Sequence, residues 1–316
     1  MDALLMLRHI QVENANAIAG LTWGFPAISN FLGFVHALSR KLPNDLELEL
    51  SGCGVICHNR EVQAYQPRGW GNYVFALTRN PLTKDAESPS FIEEGRMHMN
   101  VSLVIPILGD LDELDDPEDL RKLIQQLVFS QRLAGGTITS IGNIELHEPP
   151  EDYEGLKIFE RRQLRRLLPG FALVQRSDLL AEHIQSSIEQ DPAFEPLDAW
   201  LDFAALKYQA ELPDGKENDS TNVMWRYLPK PGNGWLVPLS IGYRGISDLY
   251  EPGEVACARD TVTPFRFVES AYSIGEWLSP HRVTNLEQLV WRYRAEPEHS
   301  LYLCENSYQP REMDHL

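Results

Sequence analysis

Apolar and polar positions along this chain change period repeatedly, and each change marks an element. Leu4 to Val12 has the length and apolar content of a strand. After an irregular stretch from Glu13 to Phe25, Ile28, Phe31, Leu32, Val35, Leu38 and Leu42 recur at three- and four-residue spacing, which predicts a helix over Pro26 to Leu42. Pro26 suits its first turn, where a missing N–H costs nothing. Pro43-Asn44-Asp45 then breaks the helix, and Leu46-Glu47-Leu48-Glu49-Leu50 alternates strictly, predicting a half-buried strand that continues toward Val55 and Cys57.

Arg60 to Arg96 is rich in Gln, Gly, Pro, Asn and Ser, with one plausible strand at Tyr73 to Thr78, and reads as an inserted arm or extended hairpin. Met97, Met99, Val101, Leu103, Ile105 and Ile107 alternate with His98, Asn100 and Ser102 as a further strand. Pro117 opens a helix with Leu120, Leu123, Ile124, Leu127 and Val128 on one stripe, closed by Gly135-Gly136, and Thr137 to Leu146 is the next strand. The order β-α-β-(arm)-β-α-β is that of a ferredoxin-like or RNA-recognition-motif core, so the fold class is α+β with the core over residues 1–150 and the arm at about 60–96.

Past Pro149-Pro150 the pattern becomes less regular, and residues 151–316 read as an irregular α+β C-terminal part. A basic helix is predicted from Glu154 to Leu168, stopped by Pro169-Gly170, followed by a strand at Phe171 to Gln175. Ser177 to Tyr208 is helical with interruptions, Glu211 to Ser220 is a polar loop, and Trp235 to Ile241 and Pro264 to Val268 are short strands. Thr284 with Glu287 forms a capping box that predicts a helix through Arg294.

Composition changes this picture little, but charge does. A net charge of −18 opposes binding of a polyanion if it is spread evenly. It is not: Asp110, Asp112, Glu113, Asp115, Asp116, Glu118 and Asp119 crowd one loop and helix start, while Lys157, Arg161, Arg162, Arg165, Arg166 and Arg176 crowd another segment. The apolar run at Leu4 to Leu7 is too short for a signal sequence and no membrane-spanning run occurs, so a cytoplasmic protein with no membrane partner is expected. Cys53, Cys57, Cys257 and Cys304 are too few for a disulfide framework and are expected to be thiols.

The arginine run puts Arg161 over Arg165 and Arg162 over Arg166 on one helix, and stacked like charges destabilise a helix unless an anion lies opposite. Guanidinium forks match phosphate oxygens, so a nucleic-acid backbone is a fitting anion; the alternative is a solvated face paired with the acidic loop. Arg68 and Trp70, with Arg79 and Asn80, mix cations and aromatics in a segment unsuited to a core, which fits base stacking and phosphate neutralisation or a hairpin tip that touches nothing. Trp23 and Phe25 stand at the mouth of the first helix, where they either meet an anion or plug the core. His36 and His58 have no evident catalytic partner, and Cys53-x-x-x-Cys57-His58 has metal-like spacing but no second ligand pair. No catalytic residue, metal ligand or cofactor is assigned.

Several ordered blocks resemble one family. They are Asn14-Ala15-Asn16-Ala17-Ile18, Leu21-Thr22-Trp23-Gly24-Phe25-Pro26, Gly33-Phe34-Val35-His36-Ala37-Leu38 and Leu77-Thr78-Arg79-Asn80-Pro81-Leu82. They continue with Glu93-Glu94-Gly95-Arg96, Arg132-Leu133-Ala134-Gly135-Gly136 and the run from Arg165 to Val174. Gly234-Trp235-Leu236-Val237-Pro238, Pro252-Gly253-Glu254-Val255, Ala258-Arg259-Asp260, Pro264 to Glu269 and Gly275 to Val283 complete the set. Together they span nearly the whole chain and resemble the type I-F CRISPR surveillance-complex subunit that caps the 5′ end of the guide RNA, a member of the RAMP superfamily. Agreement thins at Pro106 to Asp119, Ile141 to Leu156 and Ala210 to Arg226.

The resemblance implies an RNA-recognition-motif core with a thumb-like arm and no nuclease activity. It implies a heterodimer with the large subunit of the complex, a grip on the 5′ handle of the CRISPR guide RNA, contact with the first backbone subunit, and target DNA reached through the complex. Arg161, Arg162, Arg165 and Arg166 fall on its basic block, and Arg259 and Arg266 are further handle-contact candidates. The competing reading is a guide-processing endoribonuclease of the same superfamily using His36 or His58. A third, a self-sufficient RNA-binding protein, is opposed by the −18 charge.

Overall fold

A computed structural model describes residues 2–111, 116–211 and 223–310. Its first strand, β1 (Ala3–Asn16), is longer than the apolar run predicts because two bulges, at Leu7/Ile10 and Val12/Ala15, carry polar residues through it without losing the core register. Helix α1 (Ile28–Ser39) buries Ile28, Phe31, Leu32, Phe34, Val35 and Leu38. The strand expected at Leu46 to Leu50 is not one piece. Asn44–Leu46 is a 3-10 turn, Glu47 is left-handed at φ 47, and only Glu49–Leu50 pairs, opposite Leu108 and Ile107. Leu46 and Leu48 reach the core from the turn instead. Strand β2 (Cys53–Val62) begins after Gly52, whose φ of 81 no other residue type adopts easily.

The arm between β2 and β3 (Arg96–Leu108) carries two small ladders, Ala64–Tyr65 with Val74–Phe75 and Leu77–Arg79 with Phe91–Glu93, in place of the one strand expected. Helix α2 (Pro117–Phe129) starts at the Asp116 carboxylate, which accepts from the Glu118 N–H at 2.8 Å, a cap that contributes about 1 kcal/mol. The single strand expected at Thr137 to Leu146 is divided into β4 (Gly136–Ser140) and β5 (Asn143–His147), both paired with β1. The break faces the β1 bulge, and there the Gly142 N–H donates to the Arg8 carbonyl at 2.9 Å.

Helix α3 (Tyr153–Arg166) is capped by Asp152, and strand β6 (Phe171–Gln175) follows as expected. The interrupted helical stretch resolves into α4 (Ser177–Gln190) and α5 (Pro196–Ala204), but Lys207 and Tyr208 belong to a strand, β7 (Lys207–Glu211), paired with β8 (Met224–Leu228). All but the first residue of the polar loop expected at Glu211 to Ser220 lies outside the described residues. Strand β9 (Leu236–Gly245) extends past the expected Ile241. No strand runs over Pro264 to Val268: Phe265 makes an isolated bridge to Tyr250, and the real strand, β10, is Val268–Leu278.

The capping box at Thr284 is overturned as well. Asn285, not Thr284, accepts from the Gln288 N–H, the 3-10 turn Leu286–Leu289 ends at once, and β11 (Val290–Glu296) and β12 (Leu301–Asn306) form a hairpin. Val290, Trp291 and Tyr293 are strand-favouring residues, and tertiary pairing decides in their favour.

Among the described residues one 12-stranded antiparallel sheet runs β4-β1-β3-β2-β6-β10-β9-β12-β11, with Arg132–Leu133 beyond β4, β5 on β1 and Glu49–Leu50 on β3. It crosses residue 150 without interruption, since β2 pairs β6 at Cys57↔Phe171 and β11 at Gly54↔Val290. The second pairing closes β2, β6, β10, β9, β12 and β11 into a circuit. Trp277 and Trp291 are buried in the same core as α1. The Trp291 indole N–H donates to the Leu173 carbonyl at 2.8 Å. Arg176 is likewise no surface cation: it is buried between Asp178 and Glu276.

The two faces of the β1-β3-β2 sheet differ. Leu5, Leu7, Ile10 and Val12 share a core with α1 and α2. Leu4, Met6, Ile56 and Val104 point the other way and are covered by Leu164 of α3, Leu167 just after it, Leu286 and Leu289. The alternation of the sequence thus serves two cores along half of each strand. Among the described residues no helix is long and apolar enough to cross a membrane.

Candidate nucleic-acid interface

Where α3 ends, the second face of the sheet turns polar, and hydrogen-bonding side chains follow one another from there toward the base of the arm. Arg161, Arg162 and Arg165 are exposed on α3 and, among the described residues, none makes an ion pair or side-chain hydrogen bond. Arg166 differs: its guanidinium donates to Glu145 at 2.7 Å and to Gln163 at 3.2 Å, and its carbonyl accepts from Arg8. Glu145 also lies 3.6 Å from Arg8, so it neutralises the two arginines nearest the sheet and leaves three outward. No α3 arginine pairs with the acidic loop among the described residues, and Asp112, Glu113 and Asp115 of that loop lie outside them.

Next along the sheet stand His9, His58 and Ser102. Ser102 is fully buried; its hydroxyl accepts from the His9 N–H at 3.0 Å and lies 2.7 Å from His58 Nε2. His58 Nδ1 lies 2.6 Å from the Pro169 carbonyl, which only accepts, so Nδ1 carries the proton and Nε2 takes one from Ser102. Burial holds the His58 pKa below the ordinary histidine value, with the Pro169 bond opposing and His9 and Arg8 adding to the depression. The His9 and His58 rings are 4.2 Å apart. The imidazole therefore fastens the turn after α3 to β2 and β3.

Toward the arm the row continues with Asn100, 3.3 Å from His9 Nδ1, then His98, 3.1 Å from the Gln63 amide, which donates to Asn14 at 2.7 Å. His9 and Asn14 sit at the two β1 bulges with φ of 53 and 56. Left-handed backbone is uncommon outside glycine, and His and Asn are among the residues that tolerate it best. Bulges of this kind re-aim side chains beside functional surfaces. The sequence shows His98, Asn100 and Ser102 as the polar half of an alternating strand, but nothing in it tells a solvent face from a shaped polar one.

In the arm Trp70 is 70% exposed between Gly69 and Gly71, Arg68 and Asn80 are exposed, and the Arg79 guanidinium lies 4.0 Å over the Phe91 ring. Trp23, 61% exposed, meets Phe75 of the arm edge-on at 5.7 Å and so belongs to the arm's root. Phe25 is a core plug, stacked on Phe31 at 5.6 Å and edge-on to Trp277 at 4.9 Å. Arg266 is half-buried and bonded to the Ser300 hydroxyl, while Arg259 is exposed beside Asp260. Among the described residues neither forms a hydrogen bond or ion pair with α3 or the arm.

The histidine and cysteine candidates do not converge. His36 is exposed on α1, edge-on to Tyr293 at 6.1 Å, on the opposite side of the sheet from His58. Cys53 and Cys57 face the α1 core, where burial pushes Cys57 up to about 11, and Cys53 still higher. His58 points the other way, and no metal-holding group of His, Cys, Asp and Glu occurs among the described residues.

A family model for CRISPR-associated protein Cas_Csy2 matches residues 5–304. The chain is also 43% identical over 312 residues to the CRISPR-associated protein Csy2 of Pseudomonas aeruginosa strain UCBPP-PA14, covering 95% of this chain and 94% of that relative. The chain belongs to the Csy2 family. The resemblance drawn from its residue blocks is borne out at that level. The Csy2 match takes in α3, the polar sheet face and the arm, so the surface that joins them lies wholly within it.

Proposed function

We propose that this chain is a non-catalytic subunit of a type I-F CRISPR surveillance complex that grips the 5′ handle of the guide RNA. It does so paired with the large subunit and next to the first backbone subunit, and it reaches target DNA through the complex. The observation that carries this is the succession of three guanidiniums left unpaired among the described residues, a row of hydrogen-bonding side chains and an arm of arginines and exposed aromatics. Phosphates meet the first, base edges the second and base faces the third. The order β4/β5, β1, β3, β2, with α1 and α2 on one face, supports a ferredoxin-like, RNA-recognition-motif core. The overall charge of −18 favours a shared groove, completed by a partner, over tight binding by the chain alone.

The test is retention of guide RNA by the reconstituted complex. Arg161→Glu, Arg162→Glu and Arg165→Glu together should reduce retention by about a hundredfold and flatten its salt dependence, by about 0.7 in log–log slope for each phosphate that is no longer neutralised. Arg166 is left out because Glu145 holds it. Unchanged retention would sink the assignment of α3. The ribonuclease reading finds less support, since both His58 nitrogens are occupied and His36 lies across the sheet. Incubating the chain with repeat RNA in chelator decides: specific cleavage abolished by changing His36 or His58 would replace our reading.

A further inference from the structure

The β7–β8 hairpin takes no part in the surface above. It forms a two-stranded sheet of its own, off the main sheet. Register sets its faces: Tyr208 lies opposite Tyr227 and Ala210 opposite Trp225, so these four share one side. Trp225 is 69% exposed, Tyr208 57% and Tyr227 43%, and the tyrosine rings lie 5.9 Å apart, edge to face. An isolated two-stranded hairpin is marginal in water, and this one leaves Trp225 and Tyr208 more than half exposed. A contiguous aromatic face of that kind marks an interaction site.

Charge decides what it takes. Among the described residues the hairpin's cations, Lys207 and Arg226, are spent within the chain: Lys207 is paired with Asp202, and Arg226 with Glu211 at 3.3 Å. Both cations point to the side opposite the rings. A single-stranded nucleic acid needs a basic track beside its stacking platform, and among the described residues none stands on this face. Uncharged surfaces rich in Tyr and Trp are instead the make-up of a protein interface core. We infer that the Tyr208–Trp225–Tyr227 face is a docking surface for the apolar, uncharged surface of a partner protein. The inference rests on the reading of the chain as a subunit of a complex and gives that subunit a second, RNA-independent contact.

The experiment uses the full chain, tagged and co-expressed with the other subunits and a guide. Trp225→Ser with Tyr208→Ser should lower recovery of one identified subunit at least tenfold. Trp225→Phe should restore it, and the melting temperature of the isolated chain should not move. A photo-crosslinking phenylalanine analogue at position 225 should join covalently to that same protein subunit. Wild-type recovery of every subunit by the double variant, or a crosslink to the guide RNA or to nothing, overturns the docking surface. If the unaltered chain recovers no subunit, the complex reading falls, and the docking surface with it.

Discussion

Two hairpins carry aromatic side chains away from the sheet, the arm between β2 and β3 and the β7–β8 ladder, and they differ in the charge around their rings. In the arm, Arg68 stands next to Gly69-Trp70 and is unpaired among the described residues, and Arg79 lies over Phe91. In the β7–β8 hairpin the described cations, Lys207 and Arg226, are paired with carboxylates and sit behind the aromatic face. Exposed rings stack bases only if phosphates nearby are neutralised, and the same rings without cations are suited to another protein. An aromatic patch is thus assigned by its unspent charge, not by its rings.

The sharpest way to break this comparison is to remove one tryptophan from each hairpin and measure both kinds of binding. Trp70→Ala should cost about 1–3 kcal/mol of guide-RNA affinity in the assembled complex, the usual value of one stacked base, and leave subunit recovery intact. Trp225→Ala should do the reverse. Filter binding and quantitative co-purification read the two effects, and equal loss of RNA from both variants would end the distinction.

A smaller effect comes from supplying the missing charge. Ala210 shares the aromatic face with Trp225, so Ala210→Arg places a guanidinium beside the rings with no carboxylate directly across. We expect the isolated chain to gain up to about 1 kcal/mol in affinity for a single-stranded oligonucleotide, the scale of one exposed ion pair. The gain should vanish at high salt. A variant no better than wild type at low salt would show that rings plus a cation are insufficient, and that the arm owes its assignment to something else.

How much of this is legible in the sequence follows the same division. Phe171 to Gln175 reads as a strand because five mostly apolar residues stand between Pro169-Gly170 and Arg176. The helices are legible for a similar reason, a single apolar stripe with a stop after it. Strand β10 is not, because Glu276 interrupts its pattern and is buried only by virtue of Arg176, a hundred positions away. Leu46 to Leu50 misleads through local alternation that Glu47 defeats with a left-handed turn. The arm's candidates and the α3 arginines are visible as clusters, but the sequence does not reveal that Glu145 occupies Arg166, nor the polar row of His9, Asn100 and His98, which exists only when β1 and β3 are brought together. The charge pairing of the β7–β8 hairpin is hidden too, since its strands are separated by more than ten residues of polar chain.

The smallest expected effect concerns the row that joins α3 to the arm, and it is a dependence on pH. His58 is held neutral by burial, so its folded pKa lies below the ordinary value of 6.5 that it regains on unfolding. Above that value both states are neutral and the native state has its full stability. As pH falls through 6.5 the unfolded chain binds the proton first, and stability declines until the folded pKa is reached, never faster than about 1.4 kcal/mol per pH unit for one group. The groups facing the ring are His9, Arg8, Ser102 and the Pro169 carbonyl; His9 and Arg8 act in the same direction as burial. His58→Gln should be less stable than wild type at neutral pH, because the clasp between Pro169 and Ser102 is lost, yet show a shallower decline below pH 6.5. Urea midpoints measured at pH 7.5, 6.5 and 5.5 compare the two slopes. Parallel slopes would mean that another group carries the titration, and that His58 is not the fastening between the α3 turn and the sheet face.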